Sequence, residues 1–245
     1  MMALMGPSGA GKTTLLDVLA GRKTGHGKIS GSILHNGLVL PSALRPVLTA
    51  YVDQNSSDVH SPHMTPHEIL CFSVALRLPR ACPTLSPALY STFVDAVLKL
   101  LRLERVKDSI VGPPSAGLSF EEMKRVSIAT EVVAFPSLLF LDEPTTFLDS
   151  DHSLVVIQML RELARGRVGG REGGWQGGMT VIASIHQPSK EVFELFDSLL
   201  MLGKGGNVVY VGPTRGENGV VAYFEKLPGI IPLEERKEKT PHHGY

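Results

Sequence analysis

The 245-residue chain predicts an α/β fold built on a mostly parallel sheet. Three observations predict it. Short apolar runs of strand length recur at Met1–Met5, Leu138–Leu141 and Met179–Ile185, and strands buried on both faces read this way. Each run delivers residues suited to phosphate or metal chemistry, and sheets of this kind bind ligands at the C-terminal ends of their strands. Segments with helical periodicity lie between the runs.

The first run leads into Gly6-Pro7-Ser8-Gly9-Ala10-Gly11-Lys12-Thr13, the pattern G-x-x-x-x-G-K-[ST]. Its glycines leave room for successive N–H groups to converge on phosphate oxygens. Lys12 can reach the β- and γ-phosphates, and the Thr13 hydroxyl can ligate Mg²⁺. Residues 13–20, with Thr14 beside the phosphates, read as a helix whose N-terminus faces the anion.

The remaining elements follow in order. Residues 29–37 alternate polar and apolar and close on Asn36-Gly37, a strand and turn of a small antiparallel layer. Tyr51–Gln54 is a short strand ending in an amide whose oxygen suits Mg²⁺ or water. Pro66–Leu78 and Ser86–Leu101 read as helices, the second with Ser86 as N-cap and Pro87 in first position. Leu89, Phe93, Val97, Leu100 and Leu101 make its apolar stripe. Gly117-Leu118-Ser119-Phe120-Glu121-Glu122 precedes an apolar helical stretch to Phe135, and Ser119 and Glu122 stand at capping-box spacing. The run at 138–141 delivers Asp142, placed to hold Mg²⁺ through its water shell, and Glu143, placed to orient or deprotonate water. Residues 154–164 read as another helix. Seven of the thirteen residues 166–178 are glycine, so this stretch, with Trp175, reads as a flexible surface loop. The run at 179–185 ends in His186, where it can touch a γ-phosphate. Residues 234–239 are all charged, and 234–245 read as a frayed tail.

Composition sets limits. Lys+Arg equals Asp+Glu at 24 each, so bulk charge gives no affinity for nucleic acid. Two cysteines, Cys71 and Cys82, are too few for a disulfide framework and suit a reducing compartment. No apolar stretch approaches a bilayer span and no signal peptide is visible. His60, His63 and His67 look metal-like, but Pro62 and Pro66 break any shared helical face and no cysteine accompanies them.

Together these segments resemble the ATP-binding domain of an ABC transporter of the G subfamily, pleiotropic-drug-resistance type, and within it the C-terminal ATP-binding domain. The strings that carry the resemblance include "LLDVLAGRKTGHGKISGSILHNG", "GLSFEEMKR", "LFLDEPTTFLDS" and "IHQPSKEVFELFDSLLML". It implies a P-loop NTPase core of RecA-like form over residues 1–233, with a helical subdomain inserted over about 62–134. It implies ATP and Mg²⁺ as cofactors. Gly6 to Thr14 bind phosphates, Thr13, Gln54 and Asp142 serve the metal, Glu143 activates water and His186 contacts the γ-phosphate. Partners would be a transmembrane domain and a second ATP-binding domain with an intact signature, at the cytoplasmic face of a membrane, with export as the output.

The chain departs from that pattern in three places. The signature, commonly Leu-Ser-Gly-Gly-Gln, is Leu118-Ser119-Phe120-Glu121-Glu122 here. Side chains at the glycine positions obstruct approach to an opposing phosphate, and two carboxylates repel it. The spacing of Ser119 and Glu122 reads as a helix cap, with a weakened or absent phosphate role across the dimer. Phe147 stands where the loop before Asp149 usually has glycine. Finally, the family carries an adenine-stacking aromatic before the phosphate loop and continues toward membrane helices afterwards, so a fragment truncated at both ends is expected. Loss of stacking would weaken ATP binding about 5- to 150-fold if one base–aromatic stack is worth ~1–3 kcal/mol. A different class of reading is a nucleotide-binding relic or regulator without turnover. A soluble ATPase of ribosomes or DNA would need tandem domains or coiled-coil arms, which are not visible.

Overall fold

In a computed structural model, residues 1–22, 27–54, 60–81, 87–113, 117–166 and 178–228 are described. The Gly-rich stretch with Trp175, the cap position Ser86, the side chain of Leu89, Cys82 and the charged tail lie outside the described residues.

A six-stranded sheet carries the fold. Its strands are β1 (Met2–Met5), β4 (Thr49–Val52), β5 (Leu138–Leu141), β6 (Thr180–Ser184), β7 (Ser198–Leu202) and β8 (Val208–Pro213), in the order β4-β5-β6-β1-β7-β8. All neighbours are parallel except β7 and β8, which form an antiparallel edge. The two-stranded β2 (Leu34–His35) and β3 (Leu38–Val39) pair separately. Their turn is the sequence's Asn36-Gly37, both with positive φ of 50° and 81°, the twist a two-residue hairpin favours. The alternation over 29–37 thus becomes strand only at its end.

Alternate strand residues enter separate apolar clusters. Ala3, Leu139, Leu141, Val181 and Ala183 face the larger one, and Leu4 and Phe140 the smaller one. The period of two in a strand sends neighbours to opposite faces, and both faces here are covered. The smaller cluster holds α1 (Lys12–Ala20) through Leu16 and Ala20. The larger holds α3 (Pro66–Ala81), α4 (Pro87–Leu100), α5 (Phe120–Val132) and α6 (Ser150–Ala164). Short helices α2 (Arg45–Leu48), α7 (Lys190–Phe193) and α8 (Val220–Glu225) are the remaining α-helices among the described residues.

The helical part is tied to itself and to the sheet. Val97 and Leu101 are buried, and Phe93 stacks on Phe135 with centroids 3.8 Å apart. Thr65 and Glu68 exchange the two hydrogen bonds of a capping box at the start of α3. Arg77 of α3 meets Glu131 of α5 in a bidentate pair at 3.0 and 2.9 Å. α6 starts earlier than its apolar pattern suggests, because Asp149 caps it through the His152 amide at 2.8 Å. α5 ends at Val132, short of Phe135, whose φ of 55° turns the chain toward β5.

Candidate functional site

Parallel pairing assembles the site. Val52 lies opposite Leu141, Leu141 opposite Ala183, and Leu4 opposite Ser184. Four strands therefore finish at one height. The residues that follow each of them, Gln54, Asp142 and Glu143, His186, and Gly6 to Thr14, arrive at one edge. Ser8, Gly9, Gly11, Lys12, Thr13, Thr14, Gln54, Glu143, Thr145, Thr146 and His186 line a cleft of about 780 Å³ there.

The loop after β1 is shaped by backbone needs. Gly9 and Gly11 have φ of 74° and 91°, the left-handed region that favours glycine. Gly11 is the N-cap of α1 and offers no side-chain cap, so the first amides of the helix are available to an anion. A Cβ on Gly6 would stand 2.5 Å from the Leu202 carbonyl oxygen, which excludes any larger residue. Lys12 is buried, and its ammonium donates to the carbonyls of Gly6 at 3.0 Å and Pro7 at 3.3 Å. The loop curls round the cation that serves it.

After β5 the two acids part. Glu143 has φ of 48°, a conformation costing a non-glycine residue of order 1–3 kcal/mol. That turn sends the Asp142 carboxylate inward and the Glu143 carboxylate across the cleft. Asp142, 5% exposed, accepts from the Thr13 hydroxyl at 2.8 Å and the Ser184 hydroxyl at 2.6 Å. Ser184 in turn accepts from the Glu143 amide at 2.8 Å. One fully buried hydroxyl thus secures both acids. Glu143 Oε2 accepts from Gln54 Nε2 at 2.9 Å and from Thr146 Oγ1 at 2.8 Å. The Gln54 carbonyl accepts from Lys124 Nζ at 2.6 Å. Burial pushes the Lys124 ammonium below its ordinary range, opposed by Asp142, Glu143 and Asp53.

Thr13, Asp142 and Gln54 present only oxygen donors, apart from the Gln54 amide nitrogen already given to Glu143. A hydroxyl, a carboxylate and an amide oxygen beside a phosphate cradle are the donors Mg²⁺ accepts, so the residues present fit that ion.

Leu118 is buried, and Ser119 starts α5 with a complete capping box to Glu122, at 2.8 Å to the Ser119 amide and 3.2 Å back from the Glu122 amide. Glu121 differs from the sequence expectation of a carboxylate aimed at an opposing phosphate. It pairs with Arg125 at 3.0 Å and His152 at 2.9 Å, so its charge is met within the chain. Asp149 caps α6. The His152 amide, then the His152 ring, hold its carboxyl below the usual range.

Of the histidines after Gln54, His60 and His67 have separate partners. His60 Nε2 is 3.0 Å from Ser127 Oγ, and burial pushes its ring below the ordinary histidine range. Both nitrogens of the His67 ring are 3.8 Å from the Cys71 sulfur. Among the described residues no three His, Cys, Asp or Glu side chains converge as a metal site.

Sequence reasoning missed Ser184, Thr146 and Lys124. A signal for one of them was present: Ser184 is the one hydroxyl at the ligand end of an apolar strand, whereas Lys124, with Glu121, Ser127 and Glu131 at helical spacing, reads as an ordinary surface lysine. Thr146 gave none, because its role depends on a fold-back onto Glu143.

Residues 1–146 match the family model described as ABC transporter, and residues 186–243 match that described as ABC-2 type transporter. ABC transporter G family member 38 of Oryza sativa subsp. japonica is 45% identical over 97% of this chain. ABC transporter G family member 36 of Arabidopsis thaliana is 43% identical over 96% of it. The chain spans about 15% of the length of either relative. A dimeric bacterial ABC transporter cassette superposes with a TM-score of 0.66 over 88% of this chain and 86% of its own, at 22% identity, which speaks for the fold. The phosphate loop, the acids after β5 and the match over residues 1–146 agree: the chain belongs to the ABC transporter family, of which it forms an ATP-binding domain.

Proposed function

We propose that this chain binds and hydrolyses ATP with Mg²⁺ as the nucleotide-binding module of a membrane exporter. The observation that carries the reading is Glu143, set in the phosphate cleft and held by Gln54 and Thr146. A carboxylate there can take a proton from water as it attacks a γ-phosphate.

The amides of Gly9 to Thr13 and the Lys12 ammonium would bind the phosphates, with Thr14 beside them. Mg²⁺, held through Thr13, Gln54 and the water shell of Asp142, would neutralise charge on the phosphates. Ser184 keeps Asp142 and Glu143 apart and fixed. His186, exposed on the cleft wall after β6, would touch the γ-phosphate.

A second ATP-binding domain with an intact signature would complete the site. A transmembrane domain would receive the motion, placing the module on the cytoplasmic face of a membrane. Among the described residues no helix is long and apolar enough to cross one. For the transmembrane partner we assign the cleft of about 570 Å³ that Arg22, Tyr51, Asp53 and His60 help to line, which adjoins Gln54. Arg22 is fixed there over the Tyr51 ring at 4.1 Å and by a bidentate pair with Asp53.

The test is turnover of Mg²⁺-ATP beside a domain with an intact signature. Glu143→Gln should lower kcat about 10²- to 10⁴-fold, the scale of a general base, while nucleotide binding persists. Turnover at the parent rate would remove Glu143 from its role. Binding without hydrolysis by the parent would instead make the chain a nucleotide-dependent regulator.

A further inference from the structure

The loop after Glu143 and the start of α5 are pinned together. Phe120 meets Phe147 edge-on, with centroids 5.7 Å apart and rings at 90°. Beside them Glu121 receives His152 Nε2 at 2.9 Å, while His152 Nδ1 lies 2.8 Å from the Asp149 carboxylate. Arg125 holds Glu121 from the other side at 3.0 Å and donates to the carbonyls of Leu101 and Arg102 at 3.3 and 3.2 Å. Glu121 is therefore fixed to the end of α4 and does not swing freely. The pinned loop carries Thr146, one of the two donors on Glu143 Oε2. The other donor, Gln54, is gripped by Lys124, also of α5. The first turns of α5 thus stand behind both donors.

We infer that His152 is a positioning residue: its ring locks the start of α5 to the 144–149 loop and so sets Thr146 against Glu143. The inference rests on Glu143 being the group that activates water. Capping α6 needs only the His152 amide on Asp149. The Nε2 bond to Glu121 does something else, since it joins two helices 31 positions apart. Each ring nitrogen stands within hydrogen-bond distance of a carboxylate oxygen, so the ring bridges the two acids. The groups facing the ring are Glu121 on α5, with Arg125 behind it, and Asp149 at the head of α6.

Amide hydrogen exchange on the full chain tests this, read at Glu122 and Met123 in α5 and at Thr146 and Leu148 in the loop. All four amides are hydrogen-bonded. His152→Ala should raise exchange at both segments together, about two- to fivefold, the range of an ion pair at a surface. Ala10 and Leu15 of the phosphate loop should not change. Turnover should fall in kcat with KM unmoved. His152→Arg keeps a planar group that can donate to two carboxylates and should restore both segments. Glu121→Gln, with near-parent melting, should reproduce His152→Ala. Segments that respond separately or not at all, or an arginine that restores nothing, would overturn the inference. The exchange result stands whether or not the chain hydrolyses ATP. Intact turnover with unlinked segments would sink the pin alone.

Discussion

The phosphate edge and the start of α5 are both sequence motifs of one family, yet they are built in opposite ways. At the phosphate edge the chain leaves groups available: helix amides without a side-chain cap, glycines at positive φ, and a cation folded under its own loop. At the start of α5 it uses groups up. Ser119 and Glu122 satisfy each other, Glu121 is met by Arg125 and His152, and Phe120 leans on Phe147. Open donors bind anions; satisfied donors hold structure. The difference teaches that one fold can set donors left open at one motif beside donors used up at another.

Four measurements press on that contrast, from the largest effect to the smallest. Lys12→Ala should weaken ATP binding about 10- to 150-fold by calorimetry, the worth of one charge-assisted hydrogen bond at ~1.5–3 kcal/mol. An equal affinity would mean that the edge is not an open anion site.

Ser184→Ala should lower stability by about 1–3 kcal/mol, since it leaves the buried Asp142 oxygen and the Glu143 amide without their partner. In a domain of this size that is about 2–4 °C of Tm per kcal/mol. Ser184→Thr should retain most of it, because the hydroxyl is what matters.

Ser119→Ala should cost about 1 kcal/mol in a denaturant series, as the loss of a helix N-cap does, with ATP affinity unchanged. A drop in affinity instead would return α5 to nucleotide recognition and break the comparison.

The smallest effect is a pH dependence at His60. Burial holds its folded ring below the ordinary value of 6.5. The unfolded chain therefore binds the extra proton first as pH falls below 6.5, so stability is complete above that pH and declines beneath it. His60→Gln should flatten the melting profile below pH 6.5. An unchanged slope would move the cause elsewhere.

Much of the site was legible because it is local. Gly6 to Thr14 makes its cradle from neighbouring residues, and Asp142 and Glu143 end a strand whose apolar run is continuous. The capping box of Ser119 and Glu122 is likewise complete within four residues. The edge strands β7 and β8 had no such local signal to mark their direction. Only pairing with β1 makes β7 parallel, and only the return through 203–207 makes β8 antiparallel.

The Ser-x-x-Glu spacing and the phosphate-loop pattern were determined by the sequence alone, because each is built from a few residues that are neighbours along the chain. The placement of Ser184 under both acids, of Gln54 on Glu143, and of His152 against Glu121 was decided only by the tertiary structure. Those partners lie on separate elements. Strand register and helix packing bring them within 3 Å, and no spacing along the chain encodes that approach.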